Sequence, residues 1–472
     1  MLITLAAPAF AKTWYIENGD ITISAGKTEG TNKVSQGSTT DEEDTDTVIT
    51  NQKTDKASSH TVTIKTNDKN DTVEVTLKDV NIDTSSRNNA AVSVTGSGNT
   101  TIKLDGDNAL KSDTYRSGIA STGSLTISGG ENDSLTAQGG SGANGISSSG
   151  SLTISGGTVT ATGGNSTGIV GYGGSGIYSS SGVAISGGAV TANGGDSKDG
   201  YGGNGISSTS TTISGGTVTA NGGSGNSSGG NGIRSFDVAI SGGTVKAAGG
   251  DSKDGYGGSG IIGSGRVAIS GGTVNAAGGD GGNGKHGGYG IISNDIDLSG
   301  SLELTAKAGS PNGKALSQNG SELDLDTIKD KLGPGAKVTA TDANGDSKQV
   351  SIPRPVEPEE SSSSSDGGSA APSAPASSLP GLTVTDKSGA VISYTSTQSG
   401  NTLTVCVGRF TASLRISLAA LRQLRAEGIE TITFQTVLCS TTLSVDELLA
   451  MGGEDAEAVL THRFTDSSLT VG

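Results

Sequence analysis

Between residues 118 and 305 the chain repeats one pattern about six times, and this repeat constrains the fold more than any other feature. Each copy begins with Gly-Ile, continues with an apolar-x-Ile-Ser-Gly-Gly run and ends with x-Val-x-Ala-x-Gly-Gly. The Gly-Ile pairs begin at Gly118, Gly145, Gly176, Gly205, Gly232, Gly260 and Gly290. Subtraction gives spacings of 27, 31, 29, 27, 28 and 30 residues. A period of this length indicates stacked structural units.

Apolar and polar residues alternate within each copy, as they do in β-strands. In one copy Leu152 and Ile154 flank Thr153, and Val159 and Ala161 alternate with threonines. The glycine pairs end these runs, because glycine accepts backbone angles that other residues avoid. The Gly-Ile element supplies a third apolar run. Three strands and three corners per copy predict an all-β fold, a parallel β-helix with coils about 4.8 Å apart.

Other repeat folds fit the pattern less well. A propeller blade needs about 40 residues and four strands. The calcium-binding nonapeptide roll needs Asp at the sixth position of Gly-Gly-x-Gly-x-Asp, where this chain has residues such as Tyr178 or Arg234. Collagen needs glycine at every third position, and the glycines here do not have that period.

Less regular segments flank the repeats. Thr72–Asp83 alternates too, with a shift of parity near Lys78–Asp79 that indicates a corner or a bulge. The polar stretch 26–58 is predicted to be an exposed, mobile insertion. Asp324–Leu332 is predicted to form a short helix that closes the C-terminal end of the solenoid.

Composition divides the chain into four parts. Residues 1–11 are apolar and end in Ala-Phe-Ala, which predicts the remnant of a signal peptide. Residues 12–350 are assigned to the β-helix. Residues 351–380 are rich in Pro, Ser and Ala and are predicted to be a linker. Residues 381–472 are predicted to form a small independent α+β domain whose partner the sequence does not identify.

This C-terminal domain is predicted to have strands near residues 402–408 and 430–438 and helices near residues 417–427 and 444–451. Its two cysteines, Cys406 and Cys439, lie near strand positions. In an exported protein they are predicted to form a disulfide, and two free buried thiols are the alternative.

Net charge narrows the choice of partner. The chain has 31 Lys and Arg against 47 Asp and Glu, a net charge of −16. This charge argues against nucleic acid and against anionic membranes, and it is compatible with cations and neutral glycans. No later stretch is long and apolar enough to span a membrane. Together with the predicted signal peptide, this favours an extracellular or cell-surface protein.

The inserts between Ala-x-Gly-Gly and Gly-Ile carry the most distinctive acidic residues. The string Gly-Gly-Asp-Ser-Lys-Asp-Gly-Tyr-Gly-Gly occurs at 194–203 and again at 249–258, two coils later. We expect both copies at the same corner, about 10 Å apart. The candidate Ca²⁺ ligands there are Asp196, Asp199, Asp251 and Asp254, together with backbone carbonyls. A second candidate pair, Asp79 and Asp83, lies on the outward face of one run. For both sets the alternative is an ordinary solvated surface.

Tyrosines occur at a repeated position in the same inserts. Tyr172, Tyr201 and Tyr256 each lie four residues before the glycine of a Gly-Ile pair, and Tyr289 lies one before. On stacked coils they predict a partial column, with a gap at Ser228. Sugars bind through apolar faces on aromatic rings, so such a column suits an extended glycan. The alternative is that each tyrosine only closes its own loop.

Three strings in the chain resemble those of a known family. The strings AVSVTGSGNTTIKLDGDNALKS (91–112), GIASTGSLTISGG (118–130) and SLTAQGG (134–140) resemble secreted bacterial carbohydrate-binding domain-containing β-helix proteins, over about residues 12–350. The resemblance implies a right-handed, pectate-lyase-like β-helix. It also implies binding of plant polysaccharides such as cellulose or pectin, with bound calcium. The matched motifs are fold-forming, so the resemblance assigns no individual site residue.

Three functions follow as hypotheses. The first is a non-catalytic polysaccharide-binding protein of the cell surface. The second is a structural adhesin, in which the solenoid is a spacer. The third is a polysaccharide lyase, which needs an acidic calcium site and a basic residue. Arg234 and Arg266 lie on neighbouring coils, but carboxylates are sparse outside the inserts, so catalysis is the least favoured.

Overall fold

The first of the two units of this chain is a β-solenoid of about 13 turns, so the predicted all-β fold is confirmed. The structure is a computed structural model. It describes residues 12–166, 168, 171–353, 381–386, 389–392, 394–407, 409, 411–436, 440–452, 456–463 and 466–471. The two units are Met1–Pro358 and Glu359–Gly472. The predicted signal peptide (1–11) and residues 354–380 of the predicted linker lie outside the described residues.

Eleven strands precede the regular repeats: β1 (Lys12–Tyr15), β2 (Ile21–Ala25), β3 (Asn32–Gln36), β4 (Thr39–Asp44), β5 (Thr47–Thr50), β6 (Val62–Thr66), β7 (Thr72–Lys78), β8 (Asn81–Asp83), β9 (Val92–Gly96), β10 (Asn99–Asp105) and β11 (Asp107–Lys111). A 3₁₀ helix, Ile16–Asn18, lies between β1 and β2. Asp79 separates β7 from β8 with a φ of 51°, which is the corner that the shift of parity predicts.

The repeats and the C-terminal end of the solenoid supply a further twenty strands: β12 (Ile119–Ser121), β13 (Ser124–Ser128), β14 (Ser134–Gln138), β15 (Ile146–Ser148), β16 (Leu152–Ile154), β17 (Thr158–Thr162), β18 (Ile177–Ile185), β19 (Ala189–Asn193), β20 (Ile206–Ile213), β21 (Thr217–Asn221), β22 (Ile233–Ile240), β23 (Thr244–Ala248), β24 (Ile261–Ile269), β25 (Thr273–Ala277), β26 (Ile291–Leu298), β27 (Glu303–Lys307), β28 (Leu316–Gln318), β29 (Ser321–Glu322), β30 (Lys337–Thr341) and β31 (Ser347–Ser351). The helix predicted near the C-terminal end is a 3₁₀ helix, Leu325–Lys331, capped by the Asp324 side chain.

Parallel pairing builds three faces from these strands. One face runs through β2, β6, β9, β12 and β15, a second through β5, β7, β10, β13 and β16, and a third through β8, β11, β14 and β17 to β30. From β18 onward one bent strand serves the first two faces, since Ile177 pairs with Ile146 while Val183 pairs with Leu152. A shift of register between Ser179 and Gly182 marks the bend.

Equivalent apolar residues stack along the axis and fill the core. The Gly-Ile isoleucines pair in register from coil to coil, for example Ile177 with Ile206 and Ile206 with Ile233. All three are fully buried. Each such side chain contributes roughly 1.5–3 kcal/mol of hydrophobic free energy. On the third face, Val190, Val218 and their equivalents stack in register and are buried in the same way.

The N-terminal segment differs from the prediction of an exposed insertion at 26–58. β3 and β4 form an antiparallel hairpin on β2, and β5 belongs to the second face. Asp44, in the acidic run, is buried and accepts a 2.7 Å hydrogen bond from Trp14 Nε1. The polar composition hid these strands, because the hairpin has only one strongly apolar buried residue, Val34.

Among its described residues, the second unit has two four-stranded sheets and two helices. Its elements are β32 (Leu382–Thr385), β33 (Thr395–Ser399), β34 (Thr402–Cys406), β35 (Thr411–Ser417), α1 (Leu418–Ala426), β36 (Thr431–Gln435), β37 (Ser440–Ser444), α2 (Val445–Met451), β38 (Glu457–Arg463) and β39 (Asp466–Val471). One sheet has the order β32-β35-β38-β39 and the other β33-β34-β36-β37. β34, β36, α1 and α2 agree with the predicted elements, and both helices begin at a serine cap, Ser417 and Ser444.

The predicted disulfide falls partly outside the described residues, because Cys439 is not among them. Cys406 is half-buried at the end of β34, and burial raises the pKa of its thiol. The pairing of these two cysteines therefore stays a prediction.

Candidate functional site

Five glycine-rich inserts lie side by side at the corner between the third face and the first. Their described residues are 163–166, 168, 171–175, 194–204, 222–231, 249–259 and 278–289. We call this stack of inserts the fin. Each insert has an outgoing arm and a return arm. Outgoing arms pair with outgoing arms, as Ser197 does with Gly225, and return arms pair with return arms, as Tyr201 does with Ser228.

Glycine pairs hold the two arms of the fin together. The N–H of Gly203, in a return arm, donates to the carbonyl of Gly195 in the outgoing arm at 2.8 Å. Gly195 in turn donates to Gly174 of the preceding coil, also at 2.8 Å. A Cβ atom on Gly203 would lie 1.9 Å from the Gly174 oxygen. Gly174 belongs to the return arm of the preceding coil, and a Cβ on Gly194 would lie 2.0 Å from the oxygen of Gly203 in the other arm of its own insert. The repeated Gly-Gly pairs are therefore required by the close approach of neighbouring coils and of the two arms.

The return arms carry an exposed aromatic ladder. The rings of Tyr172 and Tyr201 are stacked with centroids 4.9 Å apart and planes 11° apart. This distance matches the spacing of neighbouring parallel strands, so the coil rise sets the stack. Tyr172, Tyr201 and Tyr256 are 66%, 40% and 54% exposed, although tyrosine usually buries most of its ring. The predicted column exists for these three residues.

Ser228 interrupts the ladder, as its position in the sequence predicts. It pairs with Tyr201 on one side and with Tyr256 on the other. Its insert, 222–231, has ten residues, whereas 194–204 and 249–259 have eleven. The Ser228 hydroxyl donates to the Tyr256 carbonyl at 3.0 Å. The ladder thus has a recess one coil wide with a hydroxyl at its base.

The fifth place in the ladder belongs to His286 and not to Tyr289. The Gly257 N–H donates to the His286 carbonyl, as the equivalent glycines of the preceding coils donate to Tyr256, Ser228 and Tyr201. The rings of Tyr256 and His286 are 6.5 Å apart. Tyr289 is half-buried. It follows Asn204, Asn231 and Ser259 in another column, and its N–H donates to Ser259 Oγ.

The position of His286 in the sequence indicates its place in the ladder, although the tyrosine pattern does not include it. Like the tyrosines of the ladder, it lies four residues before the glycine of a Gly-Ile pair, here Gly290. Lys285 adds a cation beside it, with Nζ 5.8 Å from the centroid of the Tyr256 ring. A further exposed ring, Tyr115, lies against Gly142 in the coils before the fin.

The outgoing arms line an open groove of about 510 Å³. Residues of four successive inserts contribute, among them Lys198, Asn226 and Lys253. Asp196 and Asp251 also line it, whereas the rings of the ladder belong to the other arm.

The carboxylates of Asp196 and Asp251 join neighbouring coils. Asp196 Oδ1 accepts the Ser224 N–H at 2.7 Å, and Asp251 Oδ1 accepts the Asp280 N–H at 2.7 Å. Asp199 and Asp254 are exposed at the tips of their inserts. The described part of the chain contains no group of three or more His, Cys, Asp or Glu placed to hold a metal ion. Calcium at these four residues stays a prediction.

The second predicted pair, Asp79 and Asp83, lies on the third face and the corner before it. Asp79 Oδ1 accepts the Asp107 N–H at 3.0 Å. Asp83 Oδ2 forms an ion pair with Lys111 at 3.0 Å. Burial alone would raise the pKa of Asp83, but hydrogen bonds from Ser85 and Lys111 outweigh it and lower that pKa. Each carboxylate thus has a structural partner on its neighbouring coil or turn.

A charged cluster lies near the N-terminal end of the solenoid. Asp20 binds Arg87 through both carboxylate oxygens, at 2.7 and 2.9 Å, and His60 Nδ1 is 3.4 Å from Asp20 Oδ1. The hydrogen bond from Arg87 is the main reason why the pKa of Asp20 falls to about 2. His60 also lines a groove of about 390 Å³ with Glu17 and Lys53.

The basic residues considered for a lyase are on the outer surface of the bent strands. Arg234 pairs in register with Ser207 and Ile262. Arg266 forms ion pairs with Asp295 and Asp297 of the next coil. These carboxylates neutralise the Arg266 guanidinium at the surface.

Fold and site together define a β-solenoid with a glycine-built fin that carries an exposed aromatic ladder. No family model matches the chain, and no curated protein matches it. One solved structure is similar, a polysaccharide lyase-like protein from C. thermocellum studied as a gadolinium derivative. The identity is 16% and the TM-score 0.30, over 63% of this chain and 99% of that chain.

Within the described residues no helix is long and apolar enough to cross a membrane.

Proposed function

We propose that this protein binds polysaccharide without acting on it, and that the aromatic ladder of the fin is the binding surface. The observation that carries this proposal is the exposure of Tyr172, Tyr201 and Tyr256 in register along one arm of the fin. Exposed aromatic rings in a row are costly to leave in water and are favoured where an apolar ligand face covers them.

The ligand class follows from the surroundings of the ladder. The net charge of −16 disfavours polyanions, and hydroxyl and amide groups of the fin can fix the orientation of a neutral glycan. The sequence resemblance implies plant-type polysaccharides such as cellulose or pectin; of these two, cellulose is neutral and fits this charge, whereas pectin is a polyanion. The protein acts, in this proposal, outside the cell or at its surface.

The experiment is retention of the full chain on insoluble cellulose and on pectin gels. Replacing both Tyr201 and Tyr256 by Ala should weaken retention about tenfold or more, because two aromatic contacts are lost. Tyr178→Ala is the matched control, since Tyr178 is 38% exposed but lies on β18, outside the fin. Retention that is absent from every glycan would overturn the proposal and favour the structural adhesin.

Two further experiments test the predicted calcium and the alternative of a polysaccharide lyase. Repeating the retention in EDTA tests the predicted calcium, and loss of retention would support ligands such as Asp199 and Asp254. Incubation with soluble pectin tests catalysis, since a lyase would release unsaturated products that absorb ultraviolet light. Accumulation of such products would contradict the non-catalytic role.

A further inference from the structure

The faces of the ladder rings are not equally accessible. Tyr172 and Tyr201 stack on each other at 4.9 Å, so no sugar fits between them. The face of Tyr256 on the C-terminal side is next to His286 and Lys285. The faces of Tyr201 and Tyr256 that remain open within the ladder both look onto the recess at Ser228.

The width of this recess selects the shape of its ligand. Tyr201 and Tyr256 are two coils apart in one ladder, which corresponds to about 9.6 Å between their backbone positions along the axis. A pyranose chair in carbon contact with a ring on each face needs about 8 Å, and a flat aromatic group needs about 7 Å. Both ligands are thinner than the recess, and the gap that remains is smaller for the chair than for the flat group. A small tilt of the two exposed tyrosines therefore closes the gap more easily for the chair.

The base of the recess supplies a polar contact. The Ser228 hydroxyl donates its proton to the Tyr256 carbonyl, so its oxygen lone pairs can accept a hydrogen bond from a sugar hydroxyl. Ser228 is half-buried, which places this acceptor within the recess.

From this geometry, and resting on the proposed function, we propose that the recess at Ser228 is a slot for a single pyranose ring clamped between Tyr201 and Tyr256. A ring clamped on both sides needs C–H groups on both faces. Sugars with all-equatorial hydroxyls, such as the glucose and xylose units of β-1,4-glucans and xylans, have them. The α-1,4-linked galacturonate units of pectin carry axial oxygens at C1 and C4, through which they are linked, so their ring faces are obstructed and the slot favours glucan and xylan over pectin.

The test fills the slot without changing the scaffold. Ser228→Tyr places at this coil the residue that the neighbouring coils already have, so the fin should fold, and the new ring should occupy the slot. Titration calorimetry of the full chain with cellotetraose, xylotetraose and tetragalacturonate measures the effect. We expect Ser228→Tyr to weaken cellotetraose binding at least about tenfold.

A matched control is Ser228→Ala, which keeps the slot open and removes only the hydroxyl. We expect it to weaken binding by no more than about tenfold, as the loss of one hydrogen bond would. Circular dichroism of both variants checks that the solenoid is intact.

The experiments distinguish refutation of the slot from refutation of the proposed polysaccharide binding. If Ser228→Tyr binds cellotetraose as well as the wild type, while the Tyr201 and Tyr256 double variant loses retention, the slot is refuted and the ladder remains the binding surface. Tetragalacturonate binding as tight as cellotetraose binding would refute the assigned sugar class. Absence of retention for the wild type would overturn both.

Discussion

The distances around the glycine pairs of the fin predict what an added side chain would do to the packing of the inserts. In Gly203→Ala the added Cβ lies 1.9 Å from the Gly174 oxygen, whereas carbon and oxygen normally stay more than about 3 Å apart. The return arms of these two neighbouring coils must therefore separate by more than about 1 Å. Two hydrogen bonds of 2.8 Å depend on these atoms, Gly195 N–H to Gly174 and Gly203 N–H to Gly195.

The size of the effect follows from these bonds. Both glycines are buried, so each stretched bond leaves poorly satisfied groups away from water. At roughly 1–2 kcal/mol for each bond, opening of this part of the fin becomes easier by about 2–4 kcal/mol. The Gly195 and Gly203 amides should then exchange with deuterium about 30- to 700-fold faster than in the wild type.

The assay is hydrogen exchange followed by mass spectrometry on peptides that cover residues 194–204. Gly168→Ala is the control within the same fin, because a Cβ at Gly168 meets no atom within 4 Å. It should leave exchange of 194–204 unchanged. If Gly203→Ala also leaves it unchanged, the reasoning that glycine is required for contact between the arms of neighbouring coils is refuted.

Three further perturbations test other parts of the molecule. Ile213→Ala, at a fully buried position, should lower the free energy of unfolding by about 2–5 kcal/mol in urea denaturation, whereas Thr212→Ala on the outer face should change it by less than about 0.5 kcal/mol. The pKa of Asp20 is lowered to about 2, so the stability that its pairing with Arg87 adds is present above about pH 4 and is lost as the pH falls toward 2. Arg87→Ala should remove that part of the pH dependence of the unfolding midpoint. Burial lowers the pKa of His462, so the second unit should lose stability as the pH falls below its ordinary 6.5, and His462→Gln should abolish this loss, measured by thermal unfolding at pH 5 and pH 8.

Local patterns were enough to predict the coils. The alternation of Leu152, Thr153 and Ile154 and the recurrence of glycine pairs are properties of neighbouring residues, and stacking identical coils repeats them without new long-range information. The same reasoning missed the merging of two strands into one from Ile177 onward. That change depends on how the corner at Ser179–Gly182 bends, which alternation does not encode.

The candidate site likewise has features that the sequence predicts and features that it does not. The positions of Tyr172, Tyr201 and Tyr256 follow from counting, because they share one offset from the Gly-Ile pair. His286 has the same offset, but a pattern of tyrosines does not include a histidine, and its place in the ladder follows only from the backbone pairing of its coil. The bonds that tie Asp196 to the next coil could not be foreseen, because they depend on the exact height of a backbone N–H above a side chain in another repeat.

The fin separates the part of the chain that holds the structure from the part that varies. The residue at the ladder position is followed by Gly-Gly in all five inserts, and it is Tyr, Tyr, Ser, Tyr and His in order along the axis. The glycines leave no space for side chains between the arms, so the backbone there is fixed by its own hydrogen bonds. A change at the ladder position therefore alters the exposed surface and leaves the arms in place. It follows that the ladder presents one variable residue for each coil at a step of about 4.8 Å. The order of rings and gaps along it then determines which ligand shapes fit.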